Sequence, residues 1–216
     1  MFLPIVLRGT PRGLDRRIDD DTELVIEGYP RSANTFAAAA IAYASRRELR
    51  VASHVHTPSQ VLEAVKRTVP TLVVVREPQA TVRSIVVAAP HLRVDEALAE
   101  WIHHYSLIWP VREHFVIATF DQVIDDFGAV TSRVNDRFGT DFAIFDASPA
   151  ARAAVEGRIR ADHERWHPGD SASLPVPDND RTDRNRWLSD AIRTRCTGDA
   201  LERAAEIFAD YVDASS

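Results

Sequence analysis

Thr22-Glu23-Leu24-Val25-Ile26-Glu27-Gly28-Tyr29-Pro30-Arg31-Ser32-Ala33-Asn34-Thr35-Phe36, continuing through an alanine-rich run to Arg46, is the segment from which the architecture can be built. Residues 22–27 predict a short strand, Gly28-Tyr29-Pro30 breaks it, and residues 35–46 have the composition of a strong helix. A strand that feeds a turn into a helix aims several backbone N–H groups and the positive end of the helix dipole at one point, and such a point binds phosphate. Taken alone, the same segment is also a strand-end turn with a Ser or Asn helix cap.

Outward from this unit the pattern repeats. A short strand at 50–53 runs into His54-Val55-His56-Thr57-Pro58, where Pro58 ends it and allows a helix over about 60–67. Thr71-Leu72-Val73-Val74-Val75 is apolar without alternation, as suits a central parallel strand covered on both faces. Arg76-Glu77-Pro78 opens a further helix, an amphipathic helix covers 94–108, a strand covers 115–118 and one helix covers about 122–138. Strands alternating with helices predict βαβ units, a parallel sheet and a three-layer α/β/α architecture. From about 150 the pattern changes to a helical segment, with helices near 150–163, 186–194 and 199–211 and a polar loop over 168–183. One domain is expected over 1–216, with residues 1–21 as an N-terminal extension and 150–216 as a C-terminal helical segment.

Composition narrows the class. Hydrophobic residues at 45% and charged residues at 27% are ordinary globular values. A net charge of −6 disfavours a general nucleic-acid binder. The longest apolar stretch, Phe36 to Ala44, is too short for a membrane span, and the first residues lack the pattern of a secretory leader. With Cys196 the lone cysteine, no disulfide or cysteine-rich zinc site can form within the chain, and a cytoplasmic location is expected. Lys66 is the single lysine beside abundant arginine, a bias that bears on any position where arginine stands for lysine.

An ATP-using P-loop has the spacing G-x-x-x-x-G-K-[ST]. Gly28 and Thr35 fit it, but Ala33 stands for the second glycine and Asn34 for the lysine. Tyr29-Pro30-Arg31-Ser32-Ala33-Asn34-Thr35-Phe36 instead resembles the 5′-phosphosulfate loop of sulfotransferases that use phosphoadenosine phosphosulfate (PAPS), a pattern close to Y-P-K-S-G-T-T-W. The resemblance places Arg31 on the departing phosphate, the 5′-phosphate on Ser32, Ala33, Asn34 and Thr35, and Phe36 against adenine. Val73-Val74-Val75-Arg76-Glu77-Pro78-Gln79-Ala80-Thr81-Val82-Arg83-Ser84 resembles the same family's 3′-phosphate segment, R-x-P-x-x-x-x-x-S, with Arg76 and Ser84 as its ends. Ala118-Thr119-Phe120-Asp121-Gln122-Val123 resembles a divergent R-Y-E-D-L strand end, which puts Phe120 near adenine. The likeness runs from about Leu24 to Phe145. It implies a P-loop nucleotide-hydrolase-like sulfotransferase fold.

Sulfuryl transfer to a hydroxyl needs a base, and His56-Thr57-Pro58 resembles the family's H-x-P, which implies His56 in that role. His103 and His104, on a helix with Trp101 and Tyr105, are expected to pack rather than act. The C-terminal R-K-G triplet of cytosolic members is missing, and Arg181, Arg184 and Arg186 are candidate substitutes. The resemblance implies PAPS as donor, the desulfated nucleotide PAP as product, no metal, and a small-molecule, glycan or lipid acceptor. Homodimerisation is compatible with this reading. Two alternatives stay open at this point: a P-loop small-molecule or nucleotide kinase, and a non-catalytic nucleotide-binding or interaction protein of the same descent.

Overall fold

The computed structural model describes residues 17–45, 47–171, 173, 174, 176 and 182–216, the side chains of 182–187 excepted. Four strands form one parallel sheet: β1 (Leu24–Glu27), β2 (Val51–Ser53), β3 (Thr71–Val75) and β4 (Val116–Thr119), in the order β2-β1-β3-β4. Between them lie α1 (Asn34–Ala44), α2 (Pro58–Lys66), α3 (Pro78–Ala88) and α4 (Val94–Ile108), the last running into a 3₁₀ turn at Trp109–His114. After the sheet come α5 (Phe120–Asp125), α6 (Phe127–Phe138), α7 (Pro149–Trp166), α8 (Thr182–Arg195) and α9 (Gly198–Asp213).

Every residue of β1 and β3 is buried, as continuous apolar strands between two helical layers should be. Leu24, Ile26, Leu72, Val74, Val116 and Ala118 face one layer, where α1, α6 and α7 contribute Ile41, Phe127 and Val155. Val73, Val75 and Ile117 face the other, against Val82 and Ile85 of α3, Trp101 of α4 and Tyr211 of α9. Each Val, Leu, Ile or Phe among them stabilises the fold by about 1.5–3 kcal/mol on full burial. The architecture is three-layer α/β/α around a central parallel sheet.

Several boundaries differ from the sequence-based expectation, α8 among them, which begins at Thr182 rather than near 186, and two of the differences have a local cause. The single helix over 122–138 is two helices, because Asp126 (φ −147°, ψ 74°) leaves the helical region and caps α6 by accepting from Ala129 N. α2 begins at Pro58 itself, whose fixed φ suits the first helical position.

Strand order positions the site. The chain leaves β1 through α1 to reach β2 on one side, then returns past β1 to β3 on the other. The loops that follow β1 and β3 therefore diverge, and the crevice at the carboxyl ends of those strands is where ligands of open α/β sheets bind.

Candidate functional site

The turn after β1 can exist only because Gly28 lacks a side chain. A Cβ there would lie 2.1 Å from the Val74 carbonyl oxygen, so β1 and β3 approach each other through this residue. The turn then bends through left-handed backbone at Arg31 (φ 70°) and Ala33 (φ 72°) and enters α1 at Asn34. His54 (φ 65°) and His56 (φ 54°), after β2, are also left-handed. Of the five non-glycine residues with positive φ among those described, Thr68 alone lies away from these two turns, so backbone strain is concentrated here.

Ala33 occupies the position where the resembling loop carries glycine. A left-handed alanine costs about 1–2 kcal/mol relative to a conformation free of Cβ crowding. Ala33→Gly should therefore raise stability by about 1 kcal/mol in urea unfolding, after the unfolded-state entropy of glycine is subtracted. No gain, or a loss, would mean that this turn is not left-handed in solution. Ala33 provides no side-chain cap, and the first turn of α1 has no acidic residue, so an anion approaching its N–H groups meets no competing carboxylate in that turn.

Arg31 reaches away from its own turn. Its Nε donates to Ser84 Oγ at 2.9 Å, and its two terminal nitrogens donate to the carbonyls of Ser173 and Leu174 at 2.9 and 3.1 Å. Arg76, at the carboxyl end of β3, donates to the Arg31 carbonyl at 3.0 Å and lies 4.1 Å over the Phe120 ring. The structure thus brings Arg31, Arg76, Ser84 and Phe120 to one side of the crevice. Burial holds the Arg76 guanidinium below its ordinary pKa, opposed by Asp121 and Glu77, yet arginine stays charged.

Asn34, at the position of a kinase lysine, is buried and donates to the carbonyls of Gly28 at 3.2 Å and Tyr29 at 3.5 Å. Ser32 is fully buried, its hydroxyl 3.5 Å from that of Tyr105. Thr35 Oγ1 lies 3.0 Å from His54 Nε2. Phe36 is committed to the core, 6% exposed and edge-on to Phe145, which leaves Phe120 as the more accessible of the two expected adenine contacts. Of the proposed substitutes for the missing triplet, Arg181 and the side chains of Arg184 and Arg186 lie outside the described residues.

His56 packs against the turn from the β2 side. Its Nδ1 lies 2.8 Å from the Gly28 carbonyl, an acceptor only, so Nδ1 carries the proton and Nε2 is the basic nitrogen. Burial pushes His56 down to about 4, with the Gly28 bond acting in the opposite direction. At neutral pH the ring is uncharged.

Two supporting residues are absent from the sequence-based site. The Tyr105 hydroxyl donates to the Val74 carbonyl at 2.8 Å and accepts from Tyr29 N at 3.1 Å, tying α4 to β3 and the turn after β1. Trp101, His104 and Tyr105 are all buried, in keeping with the packing role expected there, whereas His103 is exposed and does not pack inward. The second is Glu27, fully buried at the end of β1, which accepts from the backbone N–H groups of Val55 and His56 at 2.9 and 3.0 Å and from the Gln60 amide at 2.8 Å. The available signal was a single carboxylate ending the apolar run Leu24-Val25-Ile26.

No family model matches the chain, and no curated protein sequence matches it. Among solved structures, it is similar to the mouse sulfotransferase SULT7A1 complexed with PAP, at 12% sequence identity and a TM-score of 0.49, over 89% of this chain and 92% of that one. No helix among the described residues is long and apolar enough to cross a membrane.

Proposed function

We propose that this protein is a PAPS-dependent sulfotransferase that passes a sulfuryl group to a hydroxyl or amine of a small-molecule, glycan or lipid acceptor. The observation that carries the reading is the link between the two phosphate segments. Arg31 of the first is bonded to Ser84 of the second, and Arg76 of the second to the backbone of the first, at the crevice where the strand order diverges. Two cations and a hydroxyl there suit a nucleotide with separate 5′- and 3′-phosphates.

In the proposed reaction the acceptor O–H proton passes to His56 Nε2 and the acceptor oxygen bonds to sulfur. The bond from sulfur to the bridging phosphate oxygen breaks, and PAP departs with the electron pair. Negative charge grows on the 5′-phosphate, where the leading N–H groups of α1 and Arg31 stabilise it. Arg31 must exchange its Ser84 and carbonyl contacts for phosphate, while Arg76 and Ser84 take the 3′-phosphate and Phe120 an adenine face. Asn34, held by two carbonyls, leaves the kinase lysine position without a charge.

Calorimetric titration with PAP and with Mg-ATP tests the reading. PAP is expected to bind about 10- to 100-fold more tightly, since a charged hydrogen bond to the 3′-phosphate is worth about 1.5–3 kcal/mol. Tighter, magnesium-dependent ATP binding would move the chain to the kinases. Binding of neither would leave a non-catalytic protein.

A further inference from the structure

Glu27 stands where the carboxylate partner of a histidine base would stand. Its Oε2 lies 3.7 Å from His56 Nδ1, the nitrogen that bears the proton, and the same oxygen accepts from the His56 backbone N–H at 3.0 Å. The other oxygen accepts from Val55 N and from Gln60 of α2. One buried side chain thereby fixes both the left-handed turn that presents His56 and the electrostatic environment behind its ring.

We propose that Glu27 is a positioning residue that acts through His56, orienting the imidazole and balancing the positive charge it acquires when Nε2 takes a proton. The proposal rests on the sulfotransferase reading for what that proton is. An imidazole buried with only a neutral carbonyl behind it resists becoming an imidazolium, and burial alone makes His56 a weak base. A carboxylate beside Nδ1–H supplies the missing charge. Burial pushes Glu27 itself up to about 7, opposed by the Val55, His56 and Gly28 N–H groups and by Gln60. As pH rises through neutrality Glu27 ionises, and the basicity of His56 rises with it. No atom is transferred from Glu27; the acceptor proton resides on Nε2 and the Nδ1 proton stays in place.

The other groups facing the pair are few. His54 lies on the same turn, its ring centroid 5.7 Å from that of His56. Asn34 of α1 approaches Nδ1 at 3.5 Å with its own donor, a longer contact than the Gly28 bond. From α4, His104 interacts with His56 and is pushed down to about 3 by burial, with further contributions from His56 and His103. Tyr105, also of α4, is raised by burial and feels the Glu27 charge. None of these places a second anion beside His56, so the coupling expected is that of one carboxylate and one imidazole.

The test uses the full chain and nuclear magnetic resonance. In the wild-type protein, the His56 ring nitrogens and the Glu27 carboxyl carbon should titrate with shared steps. In Glu27→Gln the step that the His56 ring nitrogens show near pH 7, where the Glu27 carboxyl ionises beside Nδ1, should vanish, while the protonation step near 4 stays. PAPS consumption with water as acceptor should fall about 10- to 100-fold and lose its rise near pH 7, at the scale of a weakened general base, with PAP affinity held within about threefold. A step near pH 7 that persists in Glu27→Gln, or wild-type His56 resonances that show none there, overturns the proposal. If Glu27→Gln does not fold, the wild-type titration alone decides. Coupled titration in a protein that does not bind PAP would support the pair and reject the sulfotransferase reading, so the two failures are distinct.

Discussion

Gly28→Ala should lose about 3 kcal/mol of stability, at the upper end for overpacking, and lower the melting temperature by about 6–12 °C for a chain of this size. The new methyl would meet the Val74 carbonyl oxygen at 2.1 Å and the Val74 carbonyl carbon at 3.1 Å. Neither backbone can yield cheaply. Glu27 and Val73 are paired across β1 and β3, and the Val74 carbonyl also accepts from the Tyr105 hydroxyl. The Gly28 carbonyl meanwhile accepts from Asn34 and His56, so any shift of the turn disturbs His56 as well. PAP affinity should fall with stability. Gly157→Ala is the contrast: nothing lies within 4 Å of a Cβ there, and it sits inside α7, so it should gain about 0.5–1 kcal/mol. Thermal melts of both variants make the comparison, and a Gly28→Ala protein that melts with wild type would refute the close approach of β1 to β3.

That contact illustrates what a linear reading can and cannot recover. The strands were legible because β1 and β3 are apolar on both faces, and a glycine ending a strand before a helix signals a tight turn without revealing what crowds it. Arg76 and Ser84 were legible as a spaced pair, and both lie at the crevice beside Arg31. The direction of Arg31 was not. It depends on a φ of 70° and on the carbonyls of Ser173 and Leu174, more than 140 positions away in the chain. Spacing places a guanidinium on a turn, whereas tertiary contacts decide where it points.

Burial explains the remaining gaps. Phe36 matches an aromatic position of the resembling loop, but an alanine-rich α1 has few large side chains with which to fill the space over the sheet, and Phe36 fills it. Glu27 looks in sequence like the polar end of a strand. Its importance comes from the crossover that carries Val55, His56 and Gln60 across its carboxylate, a non-local arrangement with no periodic signature. The break at Asp126 escaped for a local reason: Asp-Phe-Gly within a long helical pattern reads as tolerable substitutions until the Asp side chain is seen capping α6.

His56→Ala should reduce PAPS turnover by about 10²- to 10⁴-fold, the contribution of a positioned general base, while PAP affinity stays near wild type. The separation follows from geometry: the imidazole bonds to the Gly28 carbonyl, and the groups proposed to grip phosphate are Arg31, Arg76, Ser84 and the amides of α1. The variant should also alter how stability depends on pH. His56 is held at about 4 in the folded chain, below the roughly 6.5 of an unfolded histidine. Between those values the unfolded state binds the extra proton, so the contribution of His56 is fully present above about pH 6.5 and is lost as pH falls toward 4. Removing the ring should flatten the stability curve in that window by roughly one proton, while His104, held at about 3 by the same burial, retains its own share. Chemical unfolding at pH 4.5, 5.5 and 7, alongside sulfate release from PAPS, reads both effects. Wild-type turnover in His56→Ala would remove His56 from the chemistry, and an unchanged slope would show that the ring is not buried in its neutral form.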